Sequence, residues 1–486
     1  MSDPSASLLG AADSERDSRA DSRAQLGEQA MAQAGPETRQ QAEPFDGHHP
    51  HDGAGTPADR GELLRHPLTL WVAFAIVHTA LNLLCLHAQG WPLGDVEAVY
   101  KLWVAQSANG GSQVGIDEPW VYPILAYIPM ALANLLGPTL YAQVWLGLVT
   151  LLNAAAFAVL SGGLRRRRAR PRWRVVAAWW WLAFLMLLGP IALARIDAIT
   201  VPVAIIAMLL VAGRPAVGAA LLTIAAWIKV WPAALVAAMI VASRARLRVL
   251  QSAAGVCITV IAVSMVLGGA SYVLSFVTEQ TGRGLQIESP VSTIWMWQAA
   301  MGVPGAGVYY DRDILTFQVA GSGTELASAL MTPLMAIAAA VVVLLGALRM
   351  REGAHFARVF PPLALALVLV LIVFNKVGSP QFMTWLAAPI VLGLIYRRRQ
   401  WLLPAGLGLA LAALTQLIYP YLYGELLAAS PAMVLLLTLR NLLQIVLLGW
   451  SVYALVTSRA PRSSRHPATA PSTPAPSTTA PSTTLE

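Results

Sequence analysis

An all-α protein that crosses a membrane many times is the fold class this sequence predicts, and three observations predict it. Hydrophobic residues make up 57% of the 486 and charged residues only 12%, with a mean hydropathy of +0.60. A soluble chain carries roughly 25% charged residues. The apolar residues fall into many blocks of membrane-spanning length, which helices alone can carry through lipid without stranding backbone polar groups. Short basic runs punctuate those blocks. The arginines therefore read as topology determinants, and the formal charge of +8 implies no nucleic-acid partner. Cys85 and Cys257 both lie in apolar blocks and set up no disulfide framework.

Two polar tails bracket a membrane domain over residues 63–457. Residues 1–62 have no apolar period and no signal-peptide h-region, so a disordered cytoplasmic tail is expected. Residues 458–486 open on Arg459, Arg462 and Arg465 and continue as a Pro/Ser/Thr/Ala repeat, a second disordered tail. The His48-His49-Pro50-His51-Asp52 patch falls in the first tail, and no metal site is expected from it.

The first span covers about Pro67 to His87, with Arg60 and Arg65 before it, which places the N-terminus inside. Val121 to Leu136 is apolar but short and carries Pro123 and Pro129. Were it to cross, the Arg165–Arg170 run would fall outside. Residues 89–138 therefore read as one external loop with two interfacial helices, the first an amphipathic run over Val96–Ala108. The second span, about Leu140 to Leu160, then brings the arginine run inside. Lys229 and Pro232 break 215–243 into two short spans joined by an outer turn. Later basic clusters, Arg349/Arg351/Arg358 and Arg397/Arg398/Arg399, then fall inside unaided. The result is about twelve spans with both termini cytoplasmic and a second large external loop at 269–322. Trp179-Trp180-Trp181 reads as an interface anchor.

This parity collects the unusual polar motifs on one face. They are Asp95 and Glu97, Arg195-Ile196-Asp197, Lys229, the Arg283–Ser289 segment with Gln286 and Glu288, and Lys376 through Gln381. Ionisable residues at membrane depth are functional candidates by default. Carboxylates mixed with Arg and Lys suit a phosphate-bearing ligand together with a group that needs a base. Each motif also has a structural use. Asp95 suits a helix N-cap, which is compatible with catalysis. Arg195 and Asp197 suit an internal ion pair, and Lys229 between Trp227 and Trp231 suits an interfacial lysine. Trp120 and Tyr122 offer faces for stacking on a sugar or for anchoring at the membrane surface. No P-loop, Gly-x-Ser-x-Gly elbow or helical His pair is present.

Four motifs carry a resemblance. Asp95-Val96-x-x-x-Tyr100 followed by Tyr122-Pro123, Arg195-x-Asp197, Lys229-Val230-Trp231-Pro232, and Lys376-Val377-Gly378-Ser379-Pro380-Gln381-Phe382 occur in this order over about 90–390. The chain resembles the GT-C superfamily of polyprenyl-phosphate-sugar-dependent glycosyltransferases, and within it bacterial glycosyltransferase family 87, the actinobacterial α-mannosyltransferases. Phe382 stands where that family more often has Tyr. The resemblance implies a GT-C-like fold and an inverting sugar transfer at the outer face of the plasma membrane. It implies a polyprenyl-phosphate-linked mannose donor and a glycolipid or lipoglycan acceptor of phosphatidylinositol-mannoside type, with no nucleotide, metal or other cofactor. Asp95 would be the catalytic base. Arg195, Lys229, Lys376 and Arg283 would hold the donor phosphate. Glu97, Tyr100, Trp120, Tyr122, Asp197, Gln286, Glu288 and Gln381 would line the substrate site. A twelve-span transporter or flippase of lipid-linked sugars is the competing reading, although no internal repeat is visible.

Overall fold

A computed structural model describes residues 62–162, 171–279 and 282–458. Both tails, the His48–Asp52 patch and the Arg165–Arg170 run lie outside the described residues.

Helix α1 (Pro67–His87) begins at a proline, which lacks the N–H that a first helical position leaves unused. The His66 side chain accepts from Leu68 N at 3.3 Å. The first loop holds a π-helical turn (Asp95–Tyr100), α2 (Lys101–Ala108) and α3 (Tyr127–Ala133). Helices α4 (Tyr141–Ser161), α5 (Arg172–Leu188) and α6 (Asp197–Leu210) follow. The 215–243 stretch does break, into α7 (Pro215–Ala226) and α8 (Pro232–Ala242), each with proline in its first turn. After α9 (Arg246–Val266) comes the second large loop, with α10 (Ser275–Thr278), α11 (Thr293–Ala300) and a hairpin of β1 (Gly307–Asp311) and β2 (Thr316–Ala320). The strands are antiparallel, with Tyr309 opposite Gln318. The chain ends in α12 (Thr324–Arg351), α13 (Phe356–Val373), α14 (Ala387–Arg397), α15 (Leu402–Gln416), α16 (Tyr423–Leu427) and α17 (Pro431–Val456).

Eight described helical segments are long and apolar enough to cross a membrane, one of them the Pro380–Tyr421 stretch that contains both α14 and α15. Helices α6, α7 and α8 are apolar but shorter. Beyond Arg358 in its first turn, helix α13 is apolar all round and is packed by α8, α12, α14 and α17, so it forms the centre. The outer helices have the inverse pattern. Ile258 and Val266 of α9 and Leu326 and Ile337 of α12 are exposed. Long helices that turn apolar side chains outward are stable in lipid and not in water. The protein is an all-α polytopic membrane protein.

Two expectations change. Trp180 and Trp181 are buried, Trp180 Nε1 donating to Ala405 O at 2.9 Å, while Trp179 Nε1 reaches Leu64 O at 3.0 Å. Helix α5 is enclosed by neighbours, so its tryptophans are packing residues and not an interface belt. The hairpin at 307–320 was not foreseen. It is an addition to the second loop whose β2 pairs with residues 285–287, through Val319 N to Leu285 O at 3.0 Å and Ile287 N to Phe317 O at 3.3 Å.

Candidate active site

Asp95 opens the π-helical turn without capping it, because Gly94 occupies the N-cap and no side-chain cap bond forms. Asp95 Oδ2 instead lies 3.0 Å from Arg195 Nε. Arg195 sits in the tight segment between α5 and α6, and its other nitrogens are also committed. Nη1 donates to Pro92 O at 2.6 Å and Ala194 O at 2.8 Å, and Nη2 donates to the Tyr419 hydroxyl at 2.9 Å. One buried guanidinium thus ties the first loop, the α5–α6 turn and the segment after α15. Gly90 makes that junction possible. Its φ is +83°, and a Cβ there would meet Pro420 O at 2.9 Å. Arg195 therefore pairs with Asp95 and not with Asp197, and each of its three nitrogens already donates within the protein. The Asp95 side chain keeps 41% exposure, and Oδ1 has no protein donor among the described residues.

Tyr100, one helical turn on, is buried with its hydroxyl accepting from Ile196 N at 3.3 Å. Burial first, then Tyr122 and Asp95, push its pKa well above the usual phenol value, so it stays protonated. Glu97 turns elsewhere and is exposed, accepting from Trp91 Nε1 at 2.7 Å. Trp120 is 3% exposed, edge-to-face with Trp103 and Tyr122 at 5.4 and 5.5 Å between centroids. It has no open face for a sugar, because the aromatic cluster consumes it. Tyr122 is half-buried and carries Lys229 Nζ 4.5 Å from its ring centroid, within cation–π range.

The remaining cations arrive on other elements. Lys376 follows α13, and its carbonyl accepts from Gln286 N at 3.0 Å. Ser379 Oγ donates to Gln286 Oε1 at 3.4 Å. Gly378 lies directly against the Glu288–Ser289 backbone, too close for any side chain. These contacts clamp the Arg283–Ser289 segment between β2 and the Lys376 loop. Arg283 lies within electrostatic reach of both Lys376 and Tyr122. Burial, and then Arg283, lower the Lys376 pKa below the ordinary lysine value. Lys229 and Arg283 are thus both drawn to Tyr122, and Lys376 lies in reach of Arg283.

Asp197 and Glu288 do structural work. Asp197 is 0% exposed and accepts from Trp385 Nε1 at 2.6 Å. Trp385 stacks on Trp231, 5.6 Å apart and 9° from parallel, and Trp231 Nε1 donates to Thr200 Oγ1 at 3.0 Å. Asp197 thus links the Lys229 turn to the segment after Lys376, and burial removes it from substrate contact. Glu288, 2% exposed, pairs with Arg440 of α17, whose Nη2 also donates to Glu288 O at 2.7 Å. An ion pair buried in this way is satisfied internally. Gln286 is buried, and Gln381 is the second residue of the 3₁₀ turn Pro380–Leu386.

Three partners escaped the sequence reading. Tyr419 and Trp385 carry no signal beyond their type. Arg440 does, since it is a lone cation inside an apolar span.

No curated protein and no solved structure matches this chain. The glycosyltransferase family 87 model matches residues 120–319, a stretch that includes Tyr122, Arg195, Lys229 and Arg283 and leaves Asp95 and Lys376 outside. The match over residues 120–319 supports the glycosyltransferase family 87 assignment that the motifs suggest, and together with the apolar helices it indicates a membrane glycosyltransferase.

Proposed function

We propose that the protein moves mannose from polyprenyl-phosphate-mannose to a glycolipid or lipoglycan acceptor, of phosphatidylinositol-mannoside type, at the outer face of the plasma membrane. Its helices would make about twelve crossings with both termini cytoplasmic. The observation that carries this reading is the Asp95–Arg195 pair, 3.0 Å apart, with Asp95 41% exposed. A carboxylate fixed on one oxygen and open on the other suits a general base.

In the transfer, an acceptor hydroxyl oxygen attacks the anomeric carbon while Asp95 Oδ1 takes the hydroxyl proton. The carbon–oxygen bond to the lipid phosphate breaks, and the phosphate leaves with the bonding electrons. Attack from the face opposite the leaving group inverts the anomeric centre. Lys229, Arg283 and Lys376 offset the charge growing on that phosphate, as oriented cations do for other leaving groups. Arg195 holds Asp95 in register and does not grip the donor. Tyr100 braces the same loop from beneath. Tyr122, Gln286 and Gln381 line the approach.

The test reconstitutes the full chain in vesicles with labelled polyprenyl-phosphate-mannose and a panel of glycolipid acceptors. Label appearing covalently on an acceptor supports the proposal. Label that crosses the bilayer without changing its lipid carrier would replace the enzyme with a transporter of lipid-linked sugars.

A further inference from the structure

The ends of the bundle helices remote from Asp95 enclose a second polar feature. A cleft of about 830 Å³ opens between the start of α5, the start of α13, the end of α14 and the end of α17. Arg358, Arg397, Arg398 and Arg399 line it, with His355 and Trp173, and no Asp or Glu is among the described lining residues. Helix α13 begins in this cleft and ends just before the Lys376 loop. Its 18 residues, at about 1.5 Å each, put roughly 27 Å between the two sites.

Three features distinguish the cleft from arginines that merely orient a membrane chain. First, the cations are gathered. Arg397 Nη1 donates to Arg358 O at 3.0 Å and Nε donates to Gln400 Oε1 at 2.9 Å, which keeps two guanidinium-bearing segments side by side despite their like charge. Second, the backbone is strained where they gather. Arg398 has φ 55° and ψ −123°, a conformation that a side-chain-bearing residue rarely adopts and that persists at sites where surrounding structure enforces it. Third, the N-terminus of α13 faces the same space. His355 and Ala357 both line the cleft, and His355 accepts from Ala357 N at 3.2 Å. A helix N-terminus adds positive potential to that of the arginines.

We propose that this cleft binds a phosphate-bearing anion, carried either by a membrane lipid headgroup or by a soluble phosphate compound. Guanidinium forks match phosphate oxygens two at a time, and exposed Arg398 and Arg399 supply forks that no ion pair among the described residues consumes. The ligand is distinct from the sugar donor, whose proposed phosphate site lies at the other end of α13.

Thermal unfolding of the detergent-purified full chain tests this. One arm adds inorganic pyrophosphate, a second dihexanoyl-phosphatidylglycerol, and a third the zwitterionic dihexanoyl-phosphatidylcholine. At least one anionic probe raises the midpoint saturably, the choline lipid does not, and R398Q/R399Q weakens the apparent affinity by about tenfold or more. A response to pyrophosphate alone assigns a soluble ligand, and a response to the glycerol lipid alone assigns a headgroup. Flat titrations in both anionic arms, or equal affinity in the variant, overturn the proposal. Phenylglyoxal labelling of Arg398 and Arg399, read by peptide mass spectrometry on wild-type protein, supplies the answer should the variant not fold. Protection by the responding probe is expected, and labelling unaffected by either probe contradicts the site.

Discussion

The two halves of the candidate active site are built in opposite ways. Around Asp95 every contact is directional. Arg195 meets it at 3.0 Å, two carbonyls and the Tyr419 hydroxyl hold Arg195, and the buried Tyr100 hydroxyl accepts from the Ile196 amide. Around Lys229, Arg283 and Lys376 it is the backbone that is fixed, by the Trp231–Trp385 stack and by the 285–287 pairing with β2. Lys229 and Arg283 then face a half-buried phenol ring, and Arg283 repels the Lys376 charge. A proton acceptor must sit within hydrogen-bond reach of one atom, whereas charge on a phosphate is spread over several oxygens and can be met from several directions. In the proposed transfer the directional half positions the base, and the cationic half meets the phosphate charge.

Substitutions can break that comparison, and the directional half is the more sensitive. Asp95→Asn keeps the shape and removes the basic oxygen, so sugar transfer falls by about 10²–10⁴-fold with the unfolding midpoint nearly unchanged, measured as initial rate beside a thermal melt. Arg195→Ala removes a buried cation and leaves its four partners without it. It destabilises the fold by about 3–5 kcal/mol and lowers transfer together with stability, as denaturation and rate measured on one preparation would show. Lys376→Ala and Lys229→Ala act on the cationic half, and each lowers kcat by about 10²-fold with little effect on stability.

A pH profile separates the halves further. Lys376, lowered by burial and Arg283, loses its proton below about pH 10.4, where an ordinary lysine titrates. Between its lowered value and that point the unfolded chain binds more protons than the folded one. The Lys376 contribution to stability therefore rises with pH across this window. Turnover changes in the other direction, because the deprotonated amine no longer offsets phosphate charge. Rates that fall on the alkaline side while the melting midpoint holds or climbs are expected. In Lys376→Ala the alkaline fall shifts or vanishes.

Smaller effects lie outside both halves. Asp197→Asn weakens the tie to Trp385 and destabilises by about 1–3 kcal/mol, with kcat changing less than in Lys376→Ala. Glu97→Gln, at an exposed carboxylate that contacts Trp91, leaves transfer within about twofold of wild type.

Legibility in the sequence follows the same divide. Spans, basic punctuation and the broken 215–243 stretch were readable because hydropathy, charge and proline act locally. Asp95, Arg195, Lys229 and Lys376 were readable as candidates because ionisable groups are conspicuous in an apolar chain. Their pairing was not. Asp95 and Arg195 are 100 positions apart, and the nearer Asp197 is drawn off by Trp385. The burial of Trp120 was not readable, because residue type does not tell an open ring from one packed between Trp103 and Tyr122. The 307–320 hairpin has strands of only five residues inside a polar loop, where alternation is too brief to stand out. Arg440 was the avoidable omission, since a single cation amid the leucines of α17 needs a partner, and Glu288 is that partner.

The central claim is that Asp95, held by Arg195, accepts the proton of the sugar acceptor. Single-turnover transfer of labelled mannose from polyprenyl-phosphate-mannose tests it most directly, with wild type and Asp95→Asn purified in parallel and matched for unfolding midpoint. The account predicts rapid labelling of the glycolipid by wild type and a loss of at least about 10²-fold in the Asn variant. Equal rates in the two proteins would contradict it.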